Sequence, residues 1–250
     1  MLRALGRVVA PIVVIVGLWE LAIVASGMPG FVLPRPEQVV GTLVADWAQI
    51  GRHLAATLSI ALVGYVAANL VSIALSVLLL YVPVAEHAVM PAAIWIRNIP
   101  FVALAPILLL VLGDRPSAKI FVVVLACFFP VLVNTSQGLR NVDPVVLDRM
   151  HVLNASEWQV FWHVRFFYAL DLFIAAQKIV ITLSVIVAIA AEWLTSSVGL
   201  GYLLNRYLMQ YRGDGVYAVS ILAATVSILL FVLVQQLEKV LLPWKRDATR

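Results

Sequence analysis

The sequence has few charged residues and a single cysteine, and both shortages restrict the class of protein. Only 12% of its 250 residues are Asp, Glu, Lys or Arg, whereas soluble domains carry about 25%. Hydrophobic residues make up 63% and the mean hydropathy is +1.03, so we expect a polytopic membrane protein surrounded by lipid. Cys127 stands alone in an apolar run, which excludes an internal disulfide framework and a thiolate metal site and favours a buried structural thiol.

The motifs of several enzyme classes are also missing from the sequence. It contains no G-x-x-x-x-G-K-[ST] phosphate loop, so we do not expect this chain to bind and hydrolyse ATP by itself. It has no H-E-x-x-H or G-x-S-x-G motif, and its four histidines are scattered without metal-ligand spacing. The net charge of +4 comes without a basic cluster interleaved with aromatics, which argues against nucleic-acid binding. The expectation is a chain with no catalytic residue, metal or cofactor.

Long apolar runs predict an all-α fold with about six transmembrane helices. Each run has at least about 18 residues, the length needed to cross the hydrocarbon core. The runs are Val8–Ala25, Leu54–Val82, Ala88–Leu112, Ala118–Gly138, Leu170–Leu194 and Val216–Leu242. The first resembles a signal peptide at its flanks, but it is long enough to be a retained helix. Residues 1–250 are therefore expected to form one transmembrane domain.

The distribution of Lys and Arg predicts the orientation of the chain. With both termini in the cytoplasm, nine of these residues fall on inner segments and six on outer loops, which is the sign that the positive-inside rule requires. The inner set is Arg3, Arg7, Arg140, Arg149, Arg165, Lys239, Lys245, Arg246 and Arg250. The outer set is Arg35, Arg52, Arg115, Lys119, Arg206 and Arg212. Residues 139–169 then lie in the cytoplasm.

The cytoplasmic segment 139–169 is predicted to hold two short helices. The first begins at "VDP", where Asp143 is the N-cap and Pro144 takes the first helical position. The second begins at "SEWQ", where Ser156 and Gln159 have the spacing of a capping box. Five apolar residues follow at helical spacing: Val160, Phe161, Val164, Phe167 and Tyr168. The segment suits either an interfacial helix on lipid headgroups or a surface that docks a protein partner.

Prolines and charges inside the predicted spans are candidates for a translocation pathway. Pro100 and Pro106 fall in the third span, where proline breaks or kinks a helix, and broken helices often line such pathways. Arg97, Lys178 and Glu192 are ionisable groups within or at the ends of spans, where they are costly and are candidates for function. The alternatives are a simple packing kink for the prolines and a structural ion pair or a snorkelling group for the charges.

Segments along nearly the whole chain resemble one family. The loop "LNASEWQVFWHVRFFYAL" is accompanied, in the order expected, by "LWELA", "FVLPRPEQVVGTL", "RNIPFVALAPILLLVLGDRPSAKI", "FFPVLVNTSQGLRNVDP" and "AAEWLTSSVGLGYLLNRY". The set resembles the permease subunits of ATP-binding-cassette (ABC) importers, especially the nitrate, sulfonate and taurine subgroup. The resemblance implies the type I ABC importer permease fold in a bacterial cytoplasmic (inner) membrane.

The same resemblance implies a function and partners. The chain would be the transmembrane pore subunit of an ATP-driven importer for a small organic or inorganic anion, such as a sulfonate, taurine or nitrate. Its partners would be a cytoplasmic ATPase dimer that binds ATP and Mg, a second permease subunit and an extracytoplasmic solute-binding protein. The alternative is a secondary transporter or membrane scaffold with a partner-docking loop. A carrier usually has two repeats with matching broken helices, and the third span has no later counterpart.

Carried onto this sequence, the family's signature loop implies which residues couple the permease to its ATPase. The turn that enters the ATPase comprises Asn154, Ala155, Ser156, Glu157 and Trp158, and the aromatic anchors are Trp158 and Phe161. Three positions depart from the family pattern: Asp148–Met150 replace "EAA", Asn154 replaces glycine, and Phe167 with Tyr168 replaces "LP". Asparagine tolerates the left-handed conformation, so the turn can persist. The departures suggest the hypothesis that a second, different permease completes the pore as a heterodimer, with a homodimer as the alternative.

Overall fold

The structure is a computed structural model that describes residues 2–244, with side chains described for residues 13–244 except 102, 109 and 195. The described residues form helices and no strands, which confirms the all-α prediction. The helices are α1 Leu2–Ser26, α2 Pro36–Ala45, α3 Trp47–Tyr81, α4 Pro83–Asn98, α5 Phe101–Leu112, α6 Pro116–Arg140, α7 Pro144–Val152, α8 Glu157–Val160, α9 Phe166–Thr195, α10 Leu200–Met209 and α11 Gly213–Leu241. A π-helical segment, Phe161–Arg165, joins α8 to α9.

Four helical stretches are long and apolar enough to cross a membrane, judged by length and composition: Trp47–Tyr81, Pro116–Arg140, Glu157–Leu194 and Gly213–Leu241. The pair α4 and α5 makes a fifth if it counts as one span, bent by 97°. The first predicted span is described with side chains only over the shorter apolar stretch Val13–Ser26, so the count of six stays a prediction. The side chains of Arg3 and Arg7, and residues Lys245, Arg246 and Arg250, lie outside the described part.

Helices α3, α6 and α9 form the centre of the bundle. Small residues allow their backbones to approach closely, as is usual in membrane helix packing. A Cβ at Gly64 would lie 2.6 Å from Val123 Cγ1, and one at Gly138 would lie 2.5 Å from Ala169 Cα. Polar side chains cross the same contacts: Ser72 Oγ donates to the Phe128 carbonyl at 2.9 Å. Cys127 is fully buried in this core, as the sequence predicts.

The two ends of the bundle differ. One end, here called the α10 end, carries α2, α10 and the connection between α5 and α6. The other, called the loop end, carries α7 and α8. The loop end differs from the prediction in one respect, because the second short helix is not separate. Residues 157–195 contain no glycine or proline, so once Ser156 starts the helix nothing ends it, and α8 runs through the π-helical segment into α9.

The α10 end also requires a correction. Lys119 was counted among the outer-loop cations, but it lies in the first turn of α6 with only 5% of its surface exposed. Pro116 starts this helix earlier than the apolar pattern predicts, because proline is favoured at the first helical position. The basic residue is therefore part of the bundle's interior and not part of a solvated loop.

Candidate coupling loop and pathway

The turn between α7 and α8 is a complete Schellman motif built on an asparagine. Asn154 has a φ of 52°, the left-handed conformation that glycine usually supplies at this position. Its N–H donates to the His151 carbonyl at 2.9 Å, and the Ala155 N–H donates to the Met150 carbonyl at 3.0 Å. The replacement of glycine by Asn154 therefore leaves the turn intact.

Both predicted helix caps are present in the loop. The Ser156 N–H donates to Gln159 Oε1 at 2.8 Å, and the Gln159 N–H donates to Ser156 Oγ at 3.4 Å, which completes the capping box. Asp143 Oδ1 accepts the Val145 N–H at 2.9 Å at the start of α7. Every one of these bonds joins residues close in sequence, so the loop's shape is set locally.

The tip of the loop exposes large apolar side chains. Val152, Leu153 and Trp158 are 87%, 75% and 70% exposed. The Trp158 ring packs edge-on against Trp162 with centroids 5.5 Å apart. Large apolar side chains exposed together at one turn are typical of an interaction surface. Glu157, also exposed, lies beside it.

Phe161 has a different environment from Trp158, although the sequence suggests the same anchoring role for both. It is half-buried, and its ring lies 6.4 Å from that of Tyr81 on α3. Val160 and Val164 on the same segment are buried. Arg165 Nη1 donates to the Leu139 carbonyl at 2.8 Å, which ties the loop to the end of α6. Phe161 thus packs the loop against α3, and Trp158 is the more exposed of the two aromatic rings.

A cavity of about 440 Å³ lies beside the break between α4 and α5. Its lining comes from four helices and includes Arg97, Ile99, Phe101, Phe129, Asn134 and Leu183. The Arg97 guanidinium lies over the Phe129 ring, 4.8 Å from its centroid, a favourable cation–π geometry. No carboxylate among the described residues forms an ion pair with Arg97. Two predicted features, Arg97 and the Pro100 break, therefore meet at one cavity.

The other predicted pathway residues lie elsewhere. Pro106 is an exposed residue inside α5 and does not line the cavity. Lys178 Nζ lies 2.5 Å from Glu238 Oε2 and links α9 to α11. This geometry matches the structural ion pair that was the alternative interpretation of Lys178. Sequence spacing could not reveal the pairing, because Glu238 belongs to a different helix.

Glu192 is fully buried at the start of α10, away from the cavity. Its Oε2 accepts the Thr57 hydroxyl at 2.8 Å and the Gly201 N–H at 3.1 Å. Thr57 Oγ1 in turn accepts the Leu200 N–H at 2.8 Å. A carboxylate at a helix N-terminus satisfies free N–H groups and the helix dipole. Glu192 therefore links the start of α10 to α3 and α9.

Further polar groups at the α10 end were not recognised from the sequence. Lys119 Nζ lies 2.5 Å from Asp114 Oδ1 and 2.8 Å from Ser196 Oγ. Asp114 Oδ2 also accepts the Ser197 N–H and hydroxyl at 3.2 and 3.0 Å. The hydrogen bond from Lys119, aided by those from Ser197, holds the pKa of Asp114 below its usual range. The sequence feature that could have indicated this cluster is the run "SSVGLG" at residues 196–201, whose small residues permit close packing.

A second polar cluster joins α2, α10 and the start of α11. The Tyr207 hydroxyl donates to Asp46 Oδ2 at 2.9 Å, and Arg212 Nη2 lies 3.2 Å from Asp46 and 3.0 Å from Asp214. Thr42 Oγ1 donates to Asp214 Oδ2 at 2.6 Å. Burial, reinforced by the Asp46 carboxylate, raises the pKa of Tyr207 to about 12. The α10 end is thus closed by charge-assisted hydrogen bonds between distant segments.

Comparison with known proteins identifies the family. The family model for the binding-protein-dependent transport system inner membrane component matches residues 60–247. The chain belongs to this family. The formylaminopyrimidine transport permease protein ThiX of Halalkalibacterium halodurans is 34% identical over 92% of this chain and 92% of its own length. The riboflavin transport system permease protein RibX of Chloroflexus aurantiacus is 28% identical over 97% and 91%.

Two further comparisons extend the match to sulfonate transporters and to a solved structure. The putative aliphatic sulfonates transport permease protein SsuC of Escherichia coli is 30% identical over 92% of this chain and 88% of its own. A chain of the MetNI methionine ABC transporter, solved in inward-facing conformations, superposes with a TM-score of 0.63 at 16% identity, covering 78% of this chain and 94% of that one. The fold is that of a type I importer permease. The chain is therefore a transmembrane permease subunit of an ABC importer and not a secondary transporter or scaffold.

Proposed function

We propose that the chain forms half of the translocation pathway of an ATP-driven importer for small organic anions, and that its loop end docks on a separate cytoplasmic ATPase. The observation that carries this proposal is the loop itself. Local caps fix its shape, and its tip presents Trp158, Val152 and Leu153 to solvent. Large aromatic side chains dominate interface energetics, so Trp158 is the principal anchor and Asn154–Glu157 form the turn around it.

The proposed docking implies how the chain is oriented in the membrane and which subunit binds ATP. The loop end faces the cytoplasm, as the Lys and Arg distribution predicts, and both termini then lie on the same side. ATP and Mg bind to the partner ATPase, because this sequence has no phosphate loop. The α10 end faces the extracytoplasmic solute-binding protein that the family requires.

We propose two copies of this chain as the permease pair. The departures from the signature loop suggested a different second permease with a more standard loop. However, Asn154 adopts the conformation that glycine would supply, and Ser156 caps the following helix. Each copy can therefore present a fully formed docking loop, which supports a homodimer.

The proposed substrate class depends on Arg97. Lys119 and Lys178 pair with Asp114 and Glu238, whereas Arg97 keeps its charge at the cavity without a described carboxylate. A cation at a membrane-embedded cavity favours an anionic solute. Relatives named for aliphatic sulfonates and for taurine are consistent with a sulfonate. The relatives named for formylaminopyrimidine and riboflavin suggest that the phenyl rings at the cavity, Phe101 and Phe129, can also accept a heteroaromatic ring.

The partner proposal is tested by gentle purification of the tagged chain from its native membrane, followed by mass spectrometry. We expect an ATPase subunit to co-purify, with this chain as the only permease species. A preparation that preserves other membrane complexes but contains no ATPase would contradict ATPase coupling. A second permease in equal amount would contradict the homodimer and support the heterodimer.

The substrate proposal is tested by uptake into vesicles that contain the assembled transporter and its binding protein. Arg97→Gln should lower uptake of a labelled alkanesulfonate at least about tenfold, since it removes a full charge from the cavity, and Arg97→Lys should restore most of it. The control is the double variant Lys178→Gln with Glu238→Gln, which removes a paired charge outside the cavity and should leave uptake near normal. Unchanged sulfonate uptake in Arg97→Gln would contradict the role of Arg97. Transport of a labelled neutral pyrimidine but of no sulfonate by the parent would contradict an anionic substrate.

A further inference from the structure

A second cavity continues the one beside Arg97 towards the loop end. It measures about 390 Å³, and its lining includes Glu86, Met90, Gln137 and Arg140. Phe129 and Val133 line both cavities. The two spaces are therefore consecutive parts of one groove between α4 and α6.

One stripe of residues on α4 and one on α6 run along the length of the groove. The α4 stripe is Glu86, Met90, Ile94 and Arg97, and the α6 stripe is Phe129, Val133, Gln137 and Arg140. Both have spacings of four, four and three residues, which keep side chains on one face of a helix. Eleven residues at 1.5 Å per residue give the groove a length of about 16 Å.

The groove carries a positive charge at each end and a negative charge only at the loop end. Arg97 lies over Phe129 at the end of the groove that is farther from the loop end. At the loop end the Arg140 Nη1 bonds Glu86, and its Nη2 donates to the Leu79 carbonyl at 2.6 Å. A guanidinium has five N–H donors, so Arg140 keeps donors for an anion while these two bonds persist.

We propose that this groove is the route by which the anionic solute leaves the cavity towards the cytoplasm, with Arg140 as its second cationic contact and Glu86 as the residue that shortens its stay there. The proposal rests on the proposed function, because it assumes an anionic solute and a cytoplasmic loop end. Glu86 holds the Arg140 side chain in position and repels an anion bound beside it. The solute passes from Arg97 to Arg140 and then out, instead of binding permanently to either.

The test uses charged thiol reagents and does not need the natural solute. The transporter, complete with its ATPase, carries Cys127→Ser and Gln137→Cys and is placed in inverted vesicles whose loop end faces the medium. Sulfonatoethyl methanethiosulfonate is the anionic probe, and its trimethylammonium counterpart is the cationic one. The matched control is Gln236→Cys, a glutamine that is also exposed, lies in the last part of α11 and lines neither cavity.

We expect the anionic probe to modify Gln137→Cys faster than the cationic probe does. Arg140→Gln should slow the anionic probe about tenfold, Arg140→Lys should retain most of the rate, and Glu86→Gln should accelerate it. None of these variants should alter labelling of Gln236→Cys. The proposal is overturned by equal rates for the two probes, by equal slowing of both in Arg140→Gln, or by labelling only from the opposite side of the membrane.

These outcomes are separable from those of the proposed function. If Arg97→Gln abolishes sulfonate uptake while Arg140 and Glu86 variants label like the parent, the exit route fails and the importer assignment stands. If the charge-dependent labelling is observed but no ATPase co-purifies, the groove exists and ATPase coupling fails.

Discussion

The two ends of this permease are stabilised by different kinds of hydrogen bond. At the α10 end, the first N–H groups of α10 are satisfied by Thr57 from α3 and Glu192 from α9, residues far apart in sequence. At the loop end, the turn and the helix start are satisfied by Asn154, Ser156 and their immediate neighbours. The α10 end therefore depends on the assembled bundle, whereas the loop holds its own shape.

Exposure follows the same division. Glu192 is fully buried among its partners, whereas Trp158 at the opposite end is 70% exposed. Glu192 Oε2 already accepts two hydrogen bonds within the bundle, whereas an exposed tryptophan on a locally fixed turn suits the partner docking proposed above. The contrast indicates which substitutions should damage folding and which should damage assembly.

The largest effect is expected from Gly201→Ala at the α10 end. The added Cβ would lie 2.1 Å from the Ile189 carbonyl oxygen and 2.6 Å from the Trp193 nitrogen. These are backbone atoms that cannot move aside, so we expect a loss of about 3 kcal/mol or more in unfolding free energy. Thermal unfolding of the purified complex measures this loss of stability. Gly51→Ala in α3 is the control, because its Cβ would meet nothing within 4 Å; identical melting of the two variants would refute the account.

A smaller effect, limited to assembly, is expected from Trp158→Ala at the loop end. Removal of an exposed anchor should weaken ATPase binding by about 2 kcal/mol, which is roughly 30-fold. Stability of the permease alone should change by less than about 0.5 kcal/mol. Titration of the ATPase onto the solubilised permease measures the affinity. Trp47→Ala, which removes a 52% exposed tryptophan at the α10 end, should bind normally; equal weakening by both variants would show that Trp158 is not an anchor.

The smallest effect is expected from Asn154, where the turn can be altered without touching the interface. Asn154→Ala places a residue with a Cβ but no compensating amide at a φ of 52°, at a cost of about 1 kcal/mol. Because only the fraction of loops with the correct turn can dock, ATPase affinity should fall about fivefold. Asn154→Gly should bind as well as the parent or better. If the two variants bind alike, the left-handed turn does not limit docking.

The features that were predictable from the sequence are those whose partners are near in sequence. Asp143, Ser156 and the left-handed Asn154 follow from caps and turns that span a few residues. Apolar runs predict the spanning helices because lipid imposes their length. Arg97 and the break at Pro100 were identified because a charge and a proline are both exceptional in such runs.

The features that were missed depend on packing between distant segments. The ion pair of Lys178 with Glu238 could not be predicted, because Glu238 lies on another helix. The hydrogen bonds of Glu192 could not be predicted for the same reason, since its donors Thr57 and Gly201 come from separate elements. The α6 wall of the cavity, with Phe129, consists mostly of ordinary apolar residues whose position only the folded bundle reveals.

The continuity of α8, the π-helical segment and α9 has a mechanical consequence. The stretch Glu157–Leu194 contains 38 residues, about 57 Å of helix, which exceeds the roughly 40–45 Å of a whole bilayer. Trp158 lies near one tip of this rod, and Glu192 lies near the other. A tilt of about 5° about the midpoint would displace each tip by about 2.5 Å in opposite directions. In the proposed importer, a movement of the loop end on nucleotide binding by the ATPase would therefore be transmitted through this continuous helix to the α10 end.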